Sequence, residues 1–144
     1  MNISGQIRNY IEGLEPIKKL EINTLHDLIL QKMAHAQLWF LDGRDADGKI
    51  VTNPSIGYGN VNLTSAQDPN RDFYQVGISA NAAGISVYIM GLKDKNYLPG
   101  NYGERLNKAK VSGYCIKFRK LSDIDLDVLL EAIQDGVEQT NVAL

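Results

Sequence analysis

The spacing of apolar positions changes twice along the chain. Near the start, Ile7, Tyr10, Ile11 and Leu14 fall at i, i+3, i+4 and i+7, which is one face of a helix. Ser4 stands where an N-cap belongs. Gly13 and Pro16 break the stripe. Pro16 suits the first turn of a second helix, because the N–H it lacks would find no intrahelical partner there. That helix would carry Ile17, Leu20, Leu25, Leu28, Ile29 and Met33. An apolar stretch, Leu38 to Leu41, and a loop rich in Gly and Asp, Asp42 to Gly48, come next.

The middle of the chain shifts to short runs of branched and aromatic residues bounded by turn formers. Ile56 to Leu63, Phe73 to Ala80 and Gly84 to Gly91 read as strands, and the tight turn Asn81 to Gly84 predicts an antiparallel hairpin of the second and third. A fourth strand is predicted from Val111 to Arg119, with a short helix opened by Pro99 before it, between Leu98 and Asn107. Helical spacing returns from Asp123 to Val137, with Leu126, Leu129, Leu130, Ile133 and Val137 as the stripe and Ser122 as the cap. The order predicts a single α+β domain over residues 1–144, an antiparallel β-sheet with the N-terminal and C-terminal helices packed on one face.

Such a sheet needs only one buried face, so alternation along each strand assigns the sides. Val76, Ile78, Ile85, Val87 and Ile89 should face the helices, with Tyr114, Ile116 and Phe118 from the fourth strand. The outward set is Gln75, Gly77, Ser79, Ser86, Tyr88, Met90, Cys115, Lys117 and Arg119, joined by Tyr58 and Asn60. Tyr, Met and Arg are enriched at binding surfaces. Tyr58, Gln75, Ser86, Tyr88, Met90, Cys115, Lys117 and Arg119 are therefore the candidate ligand or partner surface. A loop or a second subunit could instead cover it, so both monomer and homodimer stay open.

Composition narrows the setting. A chain of 144 residues, 44% hydrophobic, is long enough to fold on its core without disulfide or metal staples. The net charge of −2 makes no electrostatic case for nucleic acid or an acidic membrane, so a small molecule or a protein is the expected partner. A single cysteine excludes an intramolecular disulfide and a cysteine-based metal cluster. The opening MNISGQIRNY is too polar for a signal peptide, and no apolar run has the length of a membrane span. A cytoplasmic location is the expectation.

Three features bear on chemistry. Cys115 has Lys117 on its own side of the strand, which favours thiolate, but a nucleophile also needs a base. The two histidines, His26 and His35, lie nine residues apart, not at the spacing of a metal pair, and neither adjoins Cys115. A non-enzymatic binding or accessory role is thus the leading expectation, with a cysteine-dependent enzyme as an alternative. The 42–48 loop fails as a calcium loop. Placing Gly48 at the sixth position puts Asp45 and Asp47 correctly, but Gly43 and Pro54 take the first and last ligand places. Finally, six acids and no Lys or Arg lie between Leu121 and Leu144. A helix N-terminus accounts for Asp123 and Asp125. It does not account for the ladder Asp123–Asp127–Glu131–Asp135, whose like charges at i, i+4 cost about 0.2–0.5 kcal/mol each. Asp123, Asp127 and Glu131 are the candidate ligands for a hard cation.

The stretches NPSIGYG, FYQVGISANAAGISVYIMGL and KVSGYCIKFRKLSDIDLDVL, taken together, resemble the YdhG-like family of small bacterial domains of unknown function. The likeness spans roughly residues 50 to 137, and the strand YCIKF leading into LSDIDLDVL is its most characteristic piece. The resemblance implies an α+β domain of frataxin-like shape. It also makes iron a possible ligand, since one branch of the family is linked to intracellular iron handling, although no cofactor is required. Frataxins hold metal mainly through acids of the first helix. Here Glu12, Glu15, Glu21 and Asp27 are interspersed with Lys18, Lys19 and Lys32, and the dense acids lie on the last helix instead.

Overall fold

The computed structural model describes residues 2–63 and 71–142. Among the described residues four helices, α1 (Ile3–Glu12), α2 (Pro16–Lys32), α3 (Tyr97–Tyr102) and α4 (Leu126–Val142), accompany eight strands. The strands are β1 (Leu38–Leu41), β2 (Ser55–Tyr58), β3 (Val61–Asn62), β4 (Asp72–Phe73), β5 (Val76–Asn81), β6 (Gly84–Ile89), β7 (Lys110–Val111) and β8 (Cys115–Phe118). Six of them form one sheet in the order β1-β2-β5-β6-β8-β7, and β3 pairs with β4 apart from it. Every pairing is antiparallel. The protein is therefore α+β, as the order of elements predicts.

Register explains the core. Phe40, Ile56, Ile78, Val87 and Ile116 lie opposite one another across five strands, and Leu38, Tyr58, Val76 and Ile89 form the next row on that face. These rows meet Ile7 and Ile11 of α1, Ile22, Leu25 and Ile29 of α2, and Leu129, Ala132 and Ile133 of α4 in one cluster. Each large side chain buried this way contributes about 1.5–3 kcal/mol of transfer free energy. Tyr10 ties α1 to the sheet by polar contact, its hydroxyl accepting from the N–H of Ala80 at 3.0 Å.

Several elements differ from expectation for local reasons. Asn2, not Ser4, caps α1, its side chain accepting from the N–H of Gly5. On α2 the buried residues are Glu21, Ile22, Leu25 and Ile29, whereas Ile17 and Leu20 are 68% and 69% exposed. Leu20 precedes Ile29 by about two and a half turns and so points the other way. The predicted first strand stops at Tyr58, because Gly59 turns the chain at φ 79°. The predicted fourth strand is a hairpin: Ser112 and Gly113 turn the chain between β7 and β8, and the N–H of Ser112 bonds the carbonyl of Cys115 at 2.8 Å. Tyr114 consequently sits in that turn, 56% exposed, and does not join the inner apolar set. The apolar stretch Leu38–Leu41 is the edge strand β1. The last helix begins at Leu126, with Asp125 accepting from the N–H groups of Asp127 and Val128, while Ser122 lies in a 3₁₀ turn, Leu121–Asp123.

Among the described residues no helix packs on the second sheet face, and half of it is covered in another way. Gly57 and Gly77 lie opposite each other on β2 and β5, and the ring of Tyr74 rests on both. A Cβ at Gly57 would come within 2.4 Å of that ring, and one at Gly77 within 2.5 Å. Phe73 stacks on Tyr74 at 4.2 Å and Trp39 approaches Phe73 at 6.1 Å, so aromatic rings cover the β1-β2-β5 half. Gly77→Ala should therefore cost about 1–3 kcal/mol, the usual penalty of overpacking. Urea unfolding should also show a smaller loss for Gly77→Ala in a Tyr74→Ala background. Equal losses in both backgrounds would mean the ring is not what the glycine accommodates.

Candidate functional site

The other half of that face, over β6, β8 and β7, remains open. Its side chains come in two rows set by register. Ser86, Lys117 and Lys110 lie opposite one another on β6, β8 and β7, and Tyr88 lies opposite Cys115 in the next row. Directly opposed like charges such as Lys110 and Lys117 destabilise a strand pair. Lysine on an edge strand guards against sheet-to-sheet pairing, which would account for Lys110 on β7. It does not account for Lys117 on β8, which has a neighbour on each side.

Two adjoining clefts lie on these rows. One, of about 330 Å³, is bordered by Lys108, Lys110, Lys117 and Arg119, with Asn53, Asn81 and Ser86 supplying polar groups. The other, of about 370 Å³, holds Tyr114, Cys115, Val111 and Ser112. Tyr88, Lys110 and Lys117 border both. Among the described residues no Asp or Glu lines either cleft. Among the described residues the ion pairs are Lys18–Glu21, Lys19–Glu12 and Arg105–Glu131, so none of the four cleft cations is paired. The rings of Tyr88 and Tyr114 are close to parallel, 17° apart with centroids at 6.5 Å.

The structure thus gathers Ser86, Tyr88, Cys115, Lys117 and Arg119 of the sequence-predicted surface and separates the other three. Tyr58 belongs to the inner row, fully buried, with its hydroxyl 2.7 Å from Nδ1 of His26. Gly59 ends β2 directly after it, so the outward phase assumed for a longer strand does not apply. Gln75 lies just before β5 and is 5% exposed, its amide donating to the Thr140 hydroxyl of α4. Met90 follows the end of β6, half-buried, its N–H bonding the Gln75 carbonyl, and lines neither cleft. Lys108, Lys110, Tyr114, Asn53 and Asn81 were not in the predicted set. Reading 111–119 as one strand hid the hairpin that brings Lys110 beside Lys117.

Cys115 is 4% exposed. Burial pushes its thiol pKa up, against the opposing pull of Lys117 and a hydrogen bond with Ser86. His26 is engaged with Tyr58 on the inner side of the sheet and does not serve it as a base.

The acids of the last helix are distributed among separate tasks. Glu131 is held by Arg105 in a two-pronged pair at 2.8 Å and 2.8 Å. Asp135 accepts from the hydroxyls of Tyr97 and Tyr102, binding α3 to α4. Burial alone would raise the Asp135 pKa, but bonds from Tyr102, Tyr97 and Gln139 outweigh it and hold the carboxyl below its ordinary value. Glu138 accepts from Gln134. Asp123 ends the 3₁₀ turn and Asp127 stands in the first turn of α4. Asp123, Asp127 and Glu131 do not come together: among the described residues no three His, Cys, Asp or Glu side chains form a group that could hold a metal. The ladder that looks uncompensated in sequence receives its cation from Arg105, just beyond α3.

No family model, curated protein or solved structure matches the chain. Among the described residues, no helix is long and apolar enough to cross a membrane.

The His26–Tyr58 contact generates a pH dependence. Burial lowers the His26 pKa, with Asp27 pulling weakly the other way. The unfolded chain therefore takes up this proton near pH 6.5, before the folded chain does. The contribution is complete above that pH and is lost as pH falls through it toward the lowered folded value. Urea unfolding should show stability declining from about pH 7.5 to about pH 5.5, with a shallower slope in His26→Gln. An unchanged slope in the variant would assign the decline to other groups.

Proposed function

We propose that this protein is a non-enzymatic binding domain that holds an anionic ligand on the open half of its outer sheet face. One observation carries the proposal: Lys108, Lys110, Lys117 and Arg119 border a single cleft, and among the described residues no acid lines it and none of the four is in an ion pair. Cations placed together without counter-charge repel one another, and an anion relieves that repulsion. Asn53, Asn81 and Ser86 add neutral groups that can donate to the same anion. The overall charge of −2 does not oppose this, because the positive groups are local and Glu131 and Asp135 of α4 are engaged by Arg105, Tyr97 and Tyr102.

Calorimetric titration with pyrophosphate at low salt should give saturable binding that weakens as salt rises. Lys117→Glu with Arg119→Glu should reduce the affinity at least about tenfold, given about 1.5–3 kcal/mol for each charge-assisted hydrogen bond. Both positions are exposed, so circular dichroism should report an unchanged fold. Absence of binding at low salt, or equal binding by the double variant, would refute the proposal.

A further inference from the structure

The second cleft adds a feature that a simple anion site does not need. Tyr88 and Tyr114 stand almost parallel beside it, and Tyr114 is 56% exposed on a turn. An exposed tyrosine in a turn contributes little to a core. Its ring is placed against Tyr88 on the side of the sheet that carries the cations. The two rows are one same-face step apart along the strands, which is about 7 Å. Lys110 and Lys117 border both clefts, so cationic and aromatic ends form one continuous surface. A ligand spanning it needs an anionic end and a flat ring, joined by a linker the size of a pentose.

We infer that the ligand is a small phosphorylated ring compound of the nucleoside monophosphate class. Its ring lies against the Tyr88–Tyr114 pair, and its phosphate lies among Lys110, Lys117 and Arg119. This rests on the anion-binding proposal above and specifies its ligand. Stacking on a tyrosine face tolerates any flat ring, so the arrangement selects for ring plus phosphate more than for a given base. Clefts of about 330 and 370 Å³ suit one such molecule, within the usual range for small-ligand sites.

Titration of the full chain with AMP, UMP, adenosine and inorganic phosphate, followed by calorimetry, tests it. AMP or UMP should bind at least about fivefold tighter than phosphate, the lower end of what one stacked ring supplies. Tyr114→Ala should bring the mononucleotide down to the phosphate affinity and leave phosphate binding unchanged, while Tyr114→Phe keeps the advantage. Lys117→Glu should weaken phosphate and mononucleotide together. Equal affinity for phosphate and both mononucleotides would overturn the ligand class and leave the anion-binding proposal standing. No binding of pyrophosphate, phosphate or mononucleotide would overturn both. Tight binding of a single-stranded oligonucleotide, with mononucleotides no better than phosphate, would overturn the inference in favour of a polymer bound through several phosphates.

Discussion

A six-stranded sheet has two faces, and the described residues supply helices for only one of them. That constraint organises the molecule. On the helical side, two rows of Ile, Val, Phe and Leu meet α1, α2 and α4, and burial there holds the layers together. On the other side the chain uses two different solutions. Over β2 and β5 it removes side chains, at Gly57 and Gly77, and lays the Tyr74 ring in the space. Over β6, β8 and β7 it leaves the face to solvent and lines it with Lys, Ser and Tyr.

The two solutions depend on each other. The Tyr74 ring covers the glycine pair, and Tyr88 follows Gly77 in the same row, so the aromatic cover ends where the open clefts begin. Cys115, opposite Tyr88, falls at this border. It is therefore shielded enough for burial to govern its thiol, although Lys117 stands nearby. A cationic neighbour lowers a thiol pKa only where it outweighs the loss of solvent.

The helical side distributes its polar groups with the same economy. Glu21, buried on α2, accepts from Lys18 and from the N–H of Leu121, fixing the link between β8 and α4. Asp135 collects two tyrosine hydroxyls from α3, and Glu131 takes Arg105. A run of acids that looks like one feature in sequence becomes several separate contacts. Their partners come from α3 and the segment after it, more than twenty residues earlier in the chain.

The sequence by itself determined the α+β class, the antiparallel hairpin at Asn81–Gly84 and the inward set Val76, Ile78, Ile85, Val87, Ile89, Ile116 and Phe118. These follow from period and turn chemistry, which are local. Ser86, Tyr88, Lys117 and Arg119 were likewise legible as outward residues, because alternation holds along an unbroken strand. Tyr58, Gln75 and Tyr114 were not, because each lies at a strand end or in a turn, where one residue of uncertainty reverses the face. Only the tertiary structure decided that Lys110 stands opposite Lys117, that Arg105 answers Glu131 and that Tyr74 closes over two glycines. Arg105 and Glu131 meet through the packing of separate elements, while the Lys110–Lys117 pair depends on a turn at Ser112–Gly113 that the apolar pattern of 111–119 does not mark.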